Sequence, residues 1–372
     1  MVAVVLPAQQ PPARADSANP ERRSTGSVRV CAGGDLTLGT NLDTAWMARA
    51  ARARDSIDPG LPEPDSLLAP LRPLVAGADI VLLNIEGAIG DDVAPEKCSA
   101  LSTLCYAMRS PASAAAAIRR VADSAEVVGN LANNHARDAG PEGLEITIDH
   151  LSLAGVSVTG ADTLATEVVT ARGDTVALLG FSVSGVPDVR DLAGVRRHVA
   201  RAAAQYRRVV VTMHLGAEGP KAQRTQNRME RYAGTPRGNP VAFASAAIAA
   251  GADLVVGHGP HVVRAVQWRR GGRALIAYSL GNLLTYGPFS LRDPLDRGAV
   301  LCATMDRTGA VTHAILRATR QDASGLLVED ASHRAITLAD SLSRLDFPAT
   351  GARIGSEGTV RRHAARRASR RP

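Results

Sequence analysis

Aromatic residues are scarce in this sequence: two Trp, five Tyr and four Phe make up 3% of 372 residues. Proteins that grip single-stranded nucleic acid stack the bases on aromatic platforms, and too few are present here to build them. Lysine is nearly absent as well, with only Lys97 and Lys221, so almost every basic residue is Arg. No run approaches the roughly eighteen consecutive apolar residues of a membrane-spanning helix. The opening MVAVVLPAQQPPARADS has a short apolar stretch and an A-x-A-like ARA but no basic segment before it. Residues 1–26 therefore read either as the remnant of a signal whose start lies upstream or as a disordered leader. Cysteines number four. Cys98 and Cys105, seven apart in a loop-like insert, suit either a local disulfide, which implies an oxidising compartment, or two core-type thiols. Cys31 and Cys302 stand in apolar runs and read as small core residues.

The formal net charge is +7, and six Arg with one Glu in the last seventeen residues account for five of it. The body is nearly neutral. Residues 356–372 read as a disordered Arg-rich tail, with contact to an acidic polymer or anionic surface as the alternative. No nucleic-acid partner is expected.

From about residue 27 to 320, short β-rich runs alternate with Ala-rich amphipathic segments. The runs are SVRVCAG, DIVLLNI, AEVVG, VSVTG, TVALLGFS, RRVVVTM, ADLVVG, HVVRAVQW, RALIAYSL and AVLCATM. Helices are expected at 64–76, 111–122, 140–154, 191–205 and 239–250, several opened by Pro or Asp. Near-continuous Val, Ile and Leu runs separated by helices indicate strands buried on both faces, hence an α/β layered domain over 27–320. A C-terminal extension, 321–355, is expected to pack on the body through a helix in ASHRAITLADSLSRLD.

Six of the runs end in polar residues suited to metal chemistry. Asp35 follows the first; Asn84 and Glu86 the second; Asn133, Asn134 and His135 the third. His214 and Glu218 follow RRVVVTM, His258 and His261 follow ADLVVG, and Asn282 follows RALIAYSL. Each alone has an ordinary explanation as a cap, a turn former or a packed histidine. Together, at the carboxyl ends of strands where open α/β sheets bind ligands, they point to one site. Imidazole nitrogens mixed with carboxylate and amide oxygens suit one or two divalent ions, with Mn, Fe or Zn expected. Two such ions about 3.5–4 Å apart activate a water and polarise a phosphoryl or carbonyl oxygen.

In this order, GGDLTLG, NIEG, NLANNHARDAG, HLGAEG, AGADLVVGHGPHVVRAV and IAYSLGN resemble the CapA family of poly-gamma-glutamate capsule synthesis proteins, over roughly residues 28–305. The domain of that family is similar to the calcineurin-like metallophosphoesterases. The resemblance implies a four-layer α/β/β/α sandwich. Residue by residue, it implies metal ligation by Asp35, Glu86, Asn134, His214, His258 and His261. His135 would be a catalytic acid or electrostatic stabiliser. Where the superfamily has a His two positions after the first Asp, this chain has Thr37, and the final His pair has two residues between its members. One metal position would take Glu86, Asn134, His214 and His258; the other only Asp35, Glu86 and His261, and so would be weaker. Asn133 reads as fixing its loop, with Asn84 and Asn282 behind the ligands or against substrate. Glu218 has no ligand counterpart and is placed among the catalytic residues, as a substrate contact or supporting group, against simple surface exposure.

The function implied is a metal-dependent hydrolase of envelope-polymer production acting on a phosphate, amide or similar anionic group. The alternatives are a non-catalytic accessory protein of polymer synthesis or export and a family member recruited to secondary metabolism. Expected partners are an anionic polymer or small anionic substrate and membrane-bound synthesis proteins, with placement at the cell envelope favoured over the cytoplasm. Specificity is expected to reside in the loops at 220–240 and 284–298, whose Arg and Tyr residues could hold an anionic ligand; the first reads as a lid or rim segment or as an ordinary surface loop.

Overall fold

Valine-rich strands buried on both faces need a layer on each side, and the computed structural model supplies them. It describes residues 26–38, 40–41, 63–91, 97, 106–162, 164–185, 188–286, 291–322 and 325–363. The strands of the two main sheets are β1 (Val28–Thr37), β2 (Ile80–Ile85), β3 (Glu126–Asn130), β4 (Ser157–Thr159), β5 (Thr166–Val169), β6 (Thr175–Ser182) and β7 (Val209–His214). They continue as β8 (Leu254–His258), β9 (Val266–Arg269), β10 (Ala274–Ala277), β11 (Asn282–Thr285), β12 (Arg297–Met305), β13 (Val311–Gln321) and β14 (Leu327–Glu329). The helices are α1 (Pro64–Leu68), α2 (Arg72–Val75), α3 (Ser113–Arg119), α4 (Gly140–Leu153), α5 (Leu192–Gln205), α6 (Pro240–Ala249) and α7 (Arg334–Asp346).

One sheet runs β14-β13-β12-β1-β2-β3-β4, with β11 taking over the pairing along the last residues of β1; the other runs β9-β10-β8-β7-β6-β5. Neighbours among β1 to β4 and among β6, β7, β8 and β10 are parallel, and antiparallel strands close the edges.

The period-2 alternation of side chains sorts these strands into layers. Val28, Val30, Ala32, Ile80 and Leu82 of the first sheet meet Val176, Leu178, Val210, Leu254 and Val256 of the second in a core between the sheets. Their alternates Cys31, Val81 and Leu83 face out, under Leu67, Leu71, Ile118, Leu144 and Leu151. On the far side Val209, Val211 and Val255 pack under Val195 and Val199 of α5 and Phe243 and Ala247 of α6. The result is the expected four-layer α/β/β/α sandwich. Asn239 caps α6 through Ala242 N–H, and Pro240 opens the helix. Among the described residues no helix is long and apolar enough to cross a membrane.

Three expectations need correction. Cys31 and Cys302 are not two separate thiols: antiparallel pairing of β1 with β12 sets them directly opposite, and they form a disulfide. Cys98 and Cys105 lie outside the described residues. The run HVVRAVQW becomes strand only from Val266, because His261, with φ of 59°, leads the chain through a turn first. The expected tail begins too early. After α7, Arg353–Ile354 pairs with Val360–Arg361, Val360 is buried, and Arg362 lies 5.1 Å over the Trp268 ring while bonding Gly272 O. The remainder of that segment, like most of 1–26, lies outside the described residues.

Candidate metal centre

Strand register builds the site. In the first sheet Asn282, the first residue of β11, stands in register beside Asp35, Asn84 and Asn130, which lie toward the carboxyl ends of β1, β2 and β3. In the second, His214 stands between Ser182 and His258 at the ends of β6, β7 and β8. These two polar rows close off the core where the parallel strands end, with Glu86, His261 and Glu218 added from the loops that follow. Close approach is possible because Gly259, at φ of 102°, has no Cβ; one built there would sit 3.1 Å from the His214 ring.

Asp35, Glu86 and His214 are fully buried, and one ligand atom from each lies within 4.8 Å of the others. His214 Nε2 is 3.6 Å from Glu86 Oε1, and His258 Nδ1 is 3.5 Å from Asp35 Oδ1. His261 joins both carboxylates, with Nδ1 at 3.0 Å from Asp35 Oδ2 and Nε2 at 3.9 Å from Glu86 Oε1. Asp35, Glu86 and His214 thus stand together, with His258 and His261 both against Asp35.

Unpartnered polar atoms provide the test of fit. Both Glu86 oxygens, His214 Nε2, both His258 ring nitrogens and Asn134 Oδ1 are buried without a hydrogen-bond partner. Each such atom costs about 1–3 kcal/mol when buried and unsatisfied. A divalent cation held by these nitrogens and oxygens would remove that cost, so the residues present fit a metal ion. Ligands would come from Asp35, Glu86, Asn134, His214, His258 and His261.

The charges tell the same story. Burial, then the neighbouring Asp35 charge, pushes the Glu86 carboxyl well above the usual range. Burial works to raise Asp35 too, but contacts with His258 and His261 outweigh it and hold that carboxyl well below its ordinary value. Burial drives the His214 ring well down, keeping it neutral as a ligand must be. Burial would also lower His261, yet Glu86, Asp35 and Glu218 overcome it and push the ring up to about 10.

Behind the ligands lies an amide network. Asn84 donates to Asp35 Oδ1 at 2.9 Å and accepts from Asn130 Nδ2 at 2.8 Å and Asn133 Nδ2 at 3.3 Å. Asn133 also donates to Ile85 O at 2.8 Å and accepts from the His135 N–H at 2.9 Å, tying the loop after β3 to the end of β2. Asn282 Oδ1 contacts His261 Nδ1 at 3.0 Å. Thr37 donates to the Glu86 carbonyl at 2.8 Å. It fixes the Glu86 backbone and offers the metal no ring nitrogen.

His135 Nδ1 lies 2.6 Å from Asp138 Oδ2, a contact that assigns the ring proton to Nδ1 and leaves Nε2 its lone pair. Burial lowers the ring's pKa despite Asp138. Lys97 Nζ bonds the Asn134 carbonyl at 3.1 Å and Asp138 at 2.8 Å. Asn134 keeps its side-chain oxygen unpaired. Glu218 is not a free surface group: it pairs with Arg237 and stands 4.0 Å from His261 Nε2. Asp138 and Asn130 are not among the sequence candidates, and Arg237 is among them only as one Arg of the 220–240 loop. An HxxD spacing was the available signal for Asp138, and the first Asn of NLANN for Asn130.

The family model described as "Bacterial capsule synthesis protein PGA_cap" matches residues 29–286. "Capsule biosynthesis protein CapA" of Bacillus anthracis is 29% identical over 187 residues, 45% of this chain and 42% of that protein. "PGA biosynthesis protein CapA" of Bacillus subtilis (strain 168) is 29% identical over 172 residues, 42% of this chain and 41% of that protein. The matched part thus spans about two fifths of these relatives' length. Among solved structures, a 5'-nucleotidase precursor from Thermus thermophilus superposes with a TM-score of 0.40 at 14% identity, over 87% of this chain and 59% of its own.

Proposed function

Because this chain belongs to the bacterial capsule synthesis protein PGA_cap family, we propose that it serves envelope-polymer production as a metal-dependent hydrolase acting on a phosphate, amide or similar anionic group. The observation that carries the reading is the convergence of buried, unpartnered Glu86, His214 and His258 atoms at the ends of strands from both sheets. Burial of such atoms is costly unless they are hydrogen-bonded, paired or bound to a cation, and a divalent ion would satisfy them together.

A bound divalent ion supplies a Lewis acid and lowers the pKa of water in its shell. The chain's own residues do the rest. Asn84 and Asn282 hold Asp35 and His261 in place. His135, neutral near pH 7 and held through Nδ1 by Asp138, presents Nε2 as a proton acceptor or hydrogen-bonding group for the reacting centre. The Cys31–Cys302 disulfide supports placement in an oxidising, extracytoplasmic compartment, where such bonds persist.

A gene deletion complemented with wild type, Glu86→Gln and His214→Ala tests the reading. Polymer should be lost in the deletion and stay lost with either ligand variant at normal protein level. Restoration by both variants would instead favour an accessory role that needs the fold and not the centre.

A further inference from the structure

Four arginines are more than nine-tenths buried among the described residues, Arg208, Arg237, Arg264 and Arg297; the last belongs to β12 of the first sheet, and the other three are used differently. Arg264 is consumed by structure: its guanidinium takes both oxygens of Glu230 and the carbonyls of Ala217 and Ala222. Arg208 bonds the Asp306 and Gly26 carbonyls and pairs with Asp174. Arg237, 7% exposed, makes one aligned side-chain hydrogen bond, from Nε to Gly216 O at 3.3 Å. Its Nη2 touches Glu218 but is buried without an aligned acceptor. A guanidinium carries five N–H donors, and beyond the Nε bond and the Glu218 contact no further acceptor for this one is found among the described residues.

The backbone holds that group at the metal centre. Gly216 N–H bonds Arg237 O at 2.9 Å, and Arg237 N–H bonds Glu230 O at 2.8 Å. Glu218, its carboxylate partner, stands 4.0 Å from His261 Nε2, and His261 stands 3.9 Å from Glu86. A buried cation with spare donors therefore sits one carboxylate away from the ligands.

We propose that Arg237 is the anion-docking residue of this centre and Glu218 its displaceable counter-ion. A planar fork matches carboxylate and phosphate oxygens in pairs. A substrate anion beside the reacting group would take the fork from Glu218, fixing the substrate relative to Asp35, Glu86 and His214. The inference rests on the metal-hydrolase reading and deepens it: the substrate carries a carboxylate or phosphate next to the bond that reacts.

The test is calorimetric binding of inorganic phosphate and, separately, of glutarate to wild type, Arg237→Ala, Arg237→Lys and Glu218→Gln, each checked by thermal melting and assayed for metal content. Loss of charged hydrogen bonds predicts weakening of roughly ten- to a hundredfold for at least one anion in Arg237→Ala. Arg237→Lys should fall between, and Glu218→Gln, which removes the competing charge, should bind more tightly than wild type. The stronger arm tells carboxylate from phosphate. Equal binding by wild type and Arg237→Ala, no binding of either anion to wild type, or weakening by Glu218→Gln would overturn the proposal. Metal content of the same wild-type samples judges the hydrolase reading independently, since Arg237 dependence is scored whether or not metal is present.

Discussion

Lowering the pH should strip metal from this centre, by an amount that His261 sets. Facing Asp35 at 3.0 Å and Glu86 at 3.9 Å, its ring is held protonated up to about pH 10. A divalent ion bound among the same carboxylates competes with that proton, whether the ring itself ligates or is only repelled. The sign follows directly: below about 10 the proton is on, so binding must expel it, and affinity rises with pH by about tenfold per unit for one proton. From pH 6 to pH 9 the dissociation constant for Mn²⁺ or Zn²⁺ should fall by about a thousandfold. Glu86, also pushed upward, steepens the dependence at the acidic end. Chelator competition across that range, corrected for the chelator's own protonation, measures the slope, and calorimetry in two buffers of different ionisation enthalpy counts protons released. His261→Gln should flatten the slope by one proton. A flat affinity with no proton release in wild type would refute the electrostatic picture of the centre.

Reduction, or the Cys31→Ala Cys302→Ala double variant, should lower the melting temperature. The bond closes a loop of 271 residues, and the usual contribution of about 2–4 kcal/mol, with a chain-entropy ceiling near 5–6 kcal/mol, should be read out by denaturant titration. Asn133→Ala removes bonds to Asn84, Ile85 O and the His135 N–H. It should cost about 1–3 kcal/mol in the same assay and loosen the His135 loop, seen as faster amide exchange over residues 131–138.

Much of this architecture was legible because strands buried on both faces announce themselves as unbroken Val, Ile and Leu runs. TVALLGFS matches β6 over residues 175–182, and the helix expected at 140–154 is α4 (Gly140–Leu153). β13 escaped notice since its outer residues Thr312, His313 and Arg317 interrupt the apolar pattern, as a strand with one wetted face requires. β11, the four residues NLLT, is too short to stand out as a run of its own and follows directly on SLG. The disulfide was invisible for a different reason: Cys31 and Cys302 meet only because β12 pairs with β1, a choice of neighbour made across the whole chain.

The ligand candidates were readable because strand ends converge in this kind of sheet. Their supports were not. Asp138 reaches His135 through a turn, Arg237 returns to Gly216 along a two-residue hairpin, and Thr37 takes a backbone carbonyl in place of a metal. Each depends on loop geometry that residue type alone does not specify.

If Asp35, Glu86 and His214 hold a metal ion, elemental analysis of protein purified without chelator will find it. Wild type should carry one or two equivalents of a divalent transition metal, and the Glu86→Ala His214→Ala double variant, folded by circular dichroism, should carry essentially none. Wild type free of metal even after incubation with manganese, iron and zinc, or a double variant loaded like wild type, would contradict the account.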